Sequence, residues 1–470
     1  MTDDIRKERS PGIKLLFAGL IGFALMIPLL LVYALVYDRK DQSQTAQAAI
    51  NAGWGGPQIV AGPVVVVPYK TNEVQNETVD GKTVSRSVEV ERNLFISPVS
   101  NRISTQVEPQ ERRKSIYSSV IFEAEVTGEA VFELPGDLPR FGVRQDQLIW
   151  DRAELRMGAS DARGLTKGGE ITVNGDALAV EPGKGPAATS GQGFFAFLQW
   201  QGDEKLDVKY SFGLRGSRSL SVVPRGGQTS WQVSSSWPSP SFTGDFLPET
   251  REISADGFKA SYTVDKLALG QAPVATQDMR PPNIQADAGY MGVGGQVMES
   301  GPLGGQSSAI TVGLVQPVDL YSKVDRAVKY GFLFIGFTFL AFLLFDIVGG
   351  ARVAAAEYLM TGAGLVLFFV LLLAFAEVIG FTGAYLVASG AIIGLLTAYS
   401  SAVLGSWGRA RFIGALLLGL YALLFVLLNL EAWSLLIGSV LLFVALAGVM
   451  YATRNIDWNS VGRRVEPPAM

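Results

Sequence analysis

Two kinds of hydrophobic patterning share this chain. Residues 15–37 form one unbroken apolar run, preceded by Arg6, Lys7, Arg9 and Lys14 and followed by Asp38, Arg39, Lys40 and Asp41. At ~1.5 Å of rise per residue such a run crosses a hydrocarbon layer of ~30 Å, so it predicts a membrane helix. It exceeds the ~7–15 apolar residues of a cleavable leader. DRKDQSQ follows it in place of a small-x-small cleavage site, which marks an uncleaved anchor. Pro28 sits near its middle, a position membrane helices tolerate when neighbours re-satisfy the freed carbonyl.

Residues 41–325 carry a shorter period. GPVVVVPY at 62–69, SIYSSVIFEAEV at 115–126, LDVKYSFGL at 206–214 and FKASYTVDKL at 258–267 are bounded by Gly, Pro, Asn and Asp clusters. That alternation and punctuation predict a mainly antiparallel β-domain, sandwich-like, built as one large sandwich or two small ones. The glycine-rich tract 289–305 reads as a surface loop before a last strand at 309–315.

The long apolar pattern returns in RAVKYGFLFIGFTFLAFLLFD at 326–346, then at about 357–376, 384–404, 412–430 and 432–452. With residues 15–37 these make six spans. Arg and Lys gather in the N-terminal tail, at Arg352, Arg409 and Arg411, and at Arg454, Arg463 and Arg464, whereas 377–383 and the turn at Glu431 hold none. The positive-inside rule then puts both termini in the cytoplasm and the β-domain outside. The expected architecture is a six-span α-helical membrane bundle with the β-domain inserted between spans 1 and 2. Its parts are a tail at 1–14, span 15–37, the β-domain 41–325, a five-helix region 327–452 and a tail at 453–470.

Composition narrows the chemistry. Of 470 residues 48% are hydrophobic and 17% charged, and mean hydropathy is +0.27, as expected for a chain partly in lipid. A net charge of -4 argues against nucleic acid as a partner. His and Cys are both absent. Ser-His-Asp and Cys-His systems, thiolate or imidazole metal sites and disulfides are therefore excluded. No catalytic, cofactor-binding or metal-ligating residue is assigned, and no cofactor is expected.

Three features remain as candidate sites, and a fourth, Arg112 to Lys114, is set aside. Gly390 and Gly394 form a GxxxG in the fourth span, suited to close helix packing within the bundle or in a dimer. Glu377 and Glu431 share the outer side of the membrane, as ordinary interfacial carboxylates or as a pair lining a cavity with Asn429. Arg112, Arg113 and Lys114 read as a charged strand edge that discourages sheet-to-sheet pairing. The segment 236–248 holds Trp237, Pro238, Pro240, Phe242, Phe246 and Pro248. Proline fixes φ and restricts its predecessor, so this loop is stiff, either a core plug or a partner-binding edge.

These residues resemble the CreD family of inner-membrane proteins nearly end to end. The likeness rests on Gly62-Pro63 with 64–68, Ile116-Tyr117, 161–164, Trp237 to Phe242 with 244–248, and Gly257-Phe258 with Ala260. It continues through Arg326-Ala327 with Lys329-Tyr330, Thr338-Phe339 with Ala341-Phe342, Glu377 with Gly380-Phe381, and 454–458. Ser239 and Val378 stand where the family commonly has His, and Asp346 replaces Glu. The resemblance implies a bacterial inner-membrane protein supporting envelope integrity and stress response, with the β-domain in the periplasm. Such proteins are often controlled by a two-component system responding to β-lactams and are linked to colicin tolerance. It implies no reaction. The expected partners are the lipid bilayer and an envelope protein or glycan bound by the periplasmic domain, with no oligomeric state indicated. The alternatives are a transporter or lipid-handling protein working through the bundle, and an envelope hydrolase or transferase.

Overall fold

The computed structural model describes residues 11–79, 82–283, 307–315, 320–347, 353–429 and 434–454. The chain divides into two compact units, Gln44–Pro317 and the remainder, Met1–Ser43 with Val318–Met470.

Helix α1 (Pro11–Trp54) contains the first apolar run and continues well past it. Residues 41–54, expected to open the β-domain, are therefore helical. Their sequence, DQSQTAQAAINAGW, is rich in Ala and Gln and lacks Pro, which favours helix until Gly55-Gly56-Pro57 stops it. Gly55, at φ +105°, takes a conformation that side chains oppose. The last turns pack on the β-unit. Trp54 Nε1 donates to the Phe122 carbonyl at 3.3 Å. Ser119 Oγ donates to Asn51 Oδ1 at 2.8 Å. The guanidinium groups of Arg112 and Arg215 lie 4.7 and 4.5 Å from the Trp54 ring, so Arg112 has a packing role besides marking a strand edge.

Strands β1 (Gln58–Val79) and β2 (Lys82–Ile96) form one hairpin, and β3 (Ser100–Lys114) and β4 (Tyr117–Phe132) a second. Next come β5 (Glu154–Ala159), β6 (Leu165–Val173), β7 (Asp176–Leu178), β8 (Val180–Pro182) and β9 (Gly193–Phe197). They are followed by β10 (Leu206–Ser217), β11 (Ser219–Val223), β12 (Gln228–Ser235), β13 (Pro240–Gly244), β14 (Thr250–Ser254) and β15 (Gly257–Asp265). A single helical turn, α2 (Lys266–Leu269), precedes β16 (Val274–Ala275) and β17 (Ile310–Leu314).

These strands build two sheets. One runs β13-β17-β11-β1-β5-β9-β8, with β2 pairing β1 and β16, and the other runs β14-β15-β12-β3-β4-β10-β6-β7. Most neighbours are antiparallel, but β1 with β11 and β3 with β12 are parallel, so the sheets are mixed. One large hydrophobic core draws on both, from Val65, Leu155 and Phe194 in one to Phe122, Phe212, Trp231 and Tyr262 in the other, with two small satellite clusters beside it. The rings of Phe194 and Phe212 meet edge to face at 5.4 Å. Two polar groups that reach this core are paired, whereas the Tyr262 hydroxyl has no protein partner. Tyr210 Oη donates to Asn101 Oδ1 at 2.9 Å, and Asn101 Nδ2 donates to the Gly62 carbonyl at 3.3 Å. Burial raises the pKa of the Tyr210 hydroxyl, which stays a donor. One large core means one domain among the described residues, not two.

The other unit contains the first part of α1 with α3 (Leu320–Lys329), α4 (Gly331–Ile347), α5 (Ala355–Val403), α6 (Trp407–Asn429) and α7 (Ser434–Thr453). Helix α3 begins inside the stretch expected to be β, burying Tyr321, Val324, Ala327 and Val328 on one face. Among the described residues four helices are long and apolar enough to cross a membrane: Lys14–Trp54, Leu320–Asp346, Ala355–Val403 and Trp407–Asn429. The 49-residue α5 is not straight. Gly380 breaks it at φ 77° and ψ 165°, and a Cβ on Gly364 would lie 2.9 Å from Leu396. Along a straight helix those two residues would be roughly 48 Å apart, so α5 folds back on itself at Gly380. Phe368 and Tyr385, 5.6 Å apart by ring centroids, tie the arms together.

Candidate functional site

The β-unit has a polar cleft of about 760 Å³ at the end of β12. Its origin is a difference in strand length. Strand β12 stops at Ser235, opposite Val107, whereas β3 continues to Lys114 with only β4 beside it. The β14–β15 hairpin closes the far side, with Ser254 opposite Gly257. Gln106, Glu108 and Gln110 form one wall, Glu252, Asp256 and Lys259 the other, and Ser234 to Ser236 lie between them. Alternation along β3 buries Val107 and turns Glu108 and Gln110 outward. Glu108, Glu252, Asp256 and Lys259 make no ion pair among the described residues. Pro109 lies in the unpaired stretch of β3, where its missing N–H removes an edge donor. The cleft thus offers carboxylates, amides, hydroxyls and one ammonium, a donor and acceptor set for a polar ligand.

The stiff segment 236–248 begins at the cleft, since Ser236 belongs to both. It is a strand rather than a free loop at its centre: Pro240 to Gly244 form β13, antiparallel to β17. Pro240 is tolerated there because β13 is an edge strand. Trp237 Nε1 donates to the Val315 carbonyl at 2.9 Å. Phe242 meets the buried Phe258 ring edge to face at 5.8 Å. Trp237, Phe242 and Phe246 are half-buried and pack on the core from outside, while Pro238 is exposed. Each of these aromatics thus has one face on the core and one toward solvent.

A family model described as "Inner membrane protein CreD" matches residues 10–459. The chain is 33% identical over 445 residues to the Inner membrane protein CreD of Escherichia coli (strain K12), covering 92% of this chain and 90% of that relative. The chain belongs to the CreD family.

In this CreD chain two of the stretches singled out from the sequence, 161–164 and 377–381, fall at structural joints. Asp161 to Gly164 form a short turn beside the end of α1, where Asp161 accepts from Arg163 N and its carboxylate pairs with the Arg163 guanidinium at 2.7 Å. That pairing lowers the pKa of Asp161 and raises that of Arg163. Glu377 and Gly380 stand at the fold-back of α5. Tyr321 Oη donates to Glu377 Oε1 at 3.3 Å, and Arg39 Nε lies 4.0 Å from the same oxygen. Asn429 Oδ1 accepts from Lys323 Nζ at 3.1 Å. Glu377 is thus held by a hydroxyl and a guanidinium, whereas Glu431 lies outside the described residues. Gly390 and Gly394 are exposed, and a Cβ at either would meet nothing within 4 Å, so the GxxxG makes no close packing among the described residues.

Two long-range ion pairs escaped the sequence reading. Arg225 Nη1 and Asp278 Oδ1 lie 2.8 Å apart with side chains only 3% and 9% exposed. Burial pulls the guanidinium pKa down and Asp278 acts the other way. Lys14 Nζ and Asp346 Oδ1 also lie 2.8 Å apart, with Asp346 at 1%. The second pair joins residues 332 positions apart, a separation no local pattern reveals.

Proposed function

We propose that this CreD-family protein is a six-span, non-enzymatic membrane protein that supports envelope integrity and stress response. Its periplasmic β-domain binds an envelope component, a protein segment or a glycan, at the polar cleft and the adjoining segment 236–248. The cleft is the observation that carries this reading, because it presents unpaired charged groups and hydroxyls beside rigid aromatics. Aromatics that lose little side-chain entropy on docking are good anchors. Six spans are supported by α1, by α3 with α4, by the two arms of α5, and by α6 and α7. The basic residues of the tails and of the loops at 352 and 409–411 support cytoplasmic termini.

The test is the triple variant Glu108→Gln/Glu252→Gln/Asp256→Asn, which keeps shape and removes charge. Membrane insertion and the melting temperature should be unchanged while envelope-stress tolerance is lost. Retained tolerance would sink the binding role. Sidedness is tested apart from it, using Ser190→Cys and Ser460→Cys in a chain otherwise free of Cys. An impermeant thiol reagent should label the first in intact cells and spare the second.

A further inference from the structure

The helical unit keeps a group of buried side-chain oxygens without hydrogen-bond partners. They belong to Thr338, Asp346 (Oδ2), Tyr358, Thr397, Ser400 and Tyr421. Thr338 and Ser400 are 0% exposed, and Asp346 and Tyr358 4%. Hydroxyls in helices commonly satisfy themselves on a preceding carbonyl, as Thr361 does on Glu357 at 2.8 Å. These do not.

Their placement is not scattered. Asp346 closes α4, Tyr358 opens α5, and Thr397 and Ser400 lie near the end of its second arm. The helices touch there: Phe345 meets Phe412 of α6 at 5.5 Å, and a Cβ on Gly414 of α6 would lie 2.6 Å from Thr397 Oγ1. Tyr358 packs on Phe339 and Phe342, on the face of α4 that carries Asp346 one turn further on. Lys14 pairs with one oxygen of Asp346 and leaves the other bare. Thr338 and Tyr421 lie deeper, and past them the rings of Phe334 and Phe368 close on Tyr421 at 4.8 and 4.5 Å.

Buried polar groups are paired with protein or with water, and clusters of otherwise unsatisfied ones are where buried waters sit. We infer that the end of the helical unit at which α1 begins encloses bound water, organised around Asp346 Oδ2 and bridging to the hydroxyls of Tyr358 and Ser400. Lys14 balances the charge of Asp346, so the enclosed water needs no counter-ion beside it. An aromatic layer caps it.

The experiment uses the full chain in lipid nanodiscs, with silver ion as a small water-borne thiol probe. Ser400→Cys and Thr338→Cys should react, whereas Leu365→Cys and Leu372→Cys, equally buried among apolar neighbours at 0% exposure, should not. Serine or threonine to cysteine is nearly isosteric, so these variants should fold. Reaction no faster than the two controls overturns the proposal. Thr338→Val, Ser400→Ala and Tyr358→Phe supply an independent sign. Removing hydroxyls that hold water should lower the melting temperature by roughly 2 °C or more. A rise in melting temperature, the mark of relieved dry polar groups, overturns the proposal too.

Discussion

The pairs Arg225–Asp278 and Lys14–Asp346 have the same 2.8 Å separation and opposite surroundings. In the β-unit the pair is complete. Arg225 Nε donates to Ser97 Oγ at 3.1 Å, Asp278 Oδ2 accepts from Ala187 N at 2.7 Å, and Oδ1 accepts from Met279 N at 2.9 Å. Two glycines next to Arg225 let the turn lie against the carbonyls of Pro98 and Val99. In the helical unit Lys14 is 27% exposed and Asp346 keeps one oxygen unpartnered. The difference teaches what each pair is for. A closed network fixes the strand ends it touches, and an open one leaves room for a guest.

The sharpest way to break this comparison is to remove one partner from each pair. Arg225→Ala strands a buried carboxylate, which costs on the order of 3–5 kcal/mol, and the purified full chain should lose much of its β-unit stability in a urea melt. Lys14→Ala should cost about 1 kcal/mol, the range of a solvated pair, because water can take over at Asp346. Equal losses would erase the distinction between closed and open pairs.

The smallest effect is expected at a pair that is neither buried nor open, Asp161 with Arg163. The folded-state pKa of Asp161 lies below its ordinary value. Its contribution to stability is therefore present above the normal carboxylate range and lost as pH falls through the lowered value. Asp161→Asn should melt below the native chain at pH 7, with the gap closing below about pH 4. A gap that persists at low pH would assign the effect to the turn and not to charge.

Elements whose cause is local were legible in the sequence. The described parts of the apolar runs fall in helices, with the run at 326–346 divided between α3 and α4, and the stretch between 376 and 384, where the pattern breaks, is where α5 folds back. The period of two located β1, β4, β10 and β15. Two errors had local causes as well: the Ala- and Gln-rich end of α1 and the amphipathic α3 were hidden inside a region read as β by its surroundings. What stayed invisible is non-local. The parallel pairing of β3 with β12 joins residues far apart in sequence, and the cleft exists only because β12 is shorter than β3. Glu108, Glu252 and Asp256 are ordinary exposed carboxylates until the fold gathers them around that gap.

The turn at Gly380 bears on how this protein is made. A φ of 77° with ψ of 165° is a backbone state essentially reserved for glycine, and one such residue reverses the helix without a loop. Nearly every peptide group in the two arms is satisfied within its own helix, and Glu377 is the only ionisable side chain from 358 to 403 apart from tyrosines. In the six-span reading proposed above, the arms enter the bilayer together, as a pre-paired hairpin with almost no backbone left to dehydrate. The pairing of the two arms then rests on one position being free of a side chain, since any Cβ at 380 would oppose that turn.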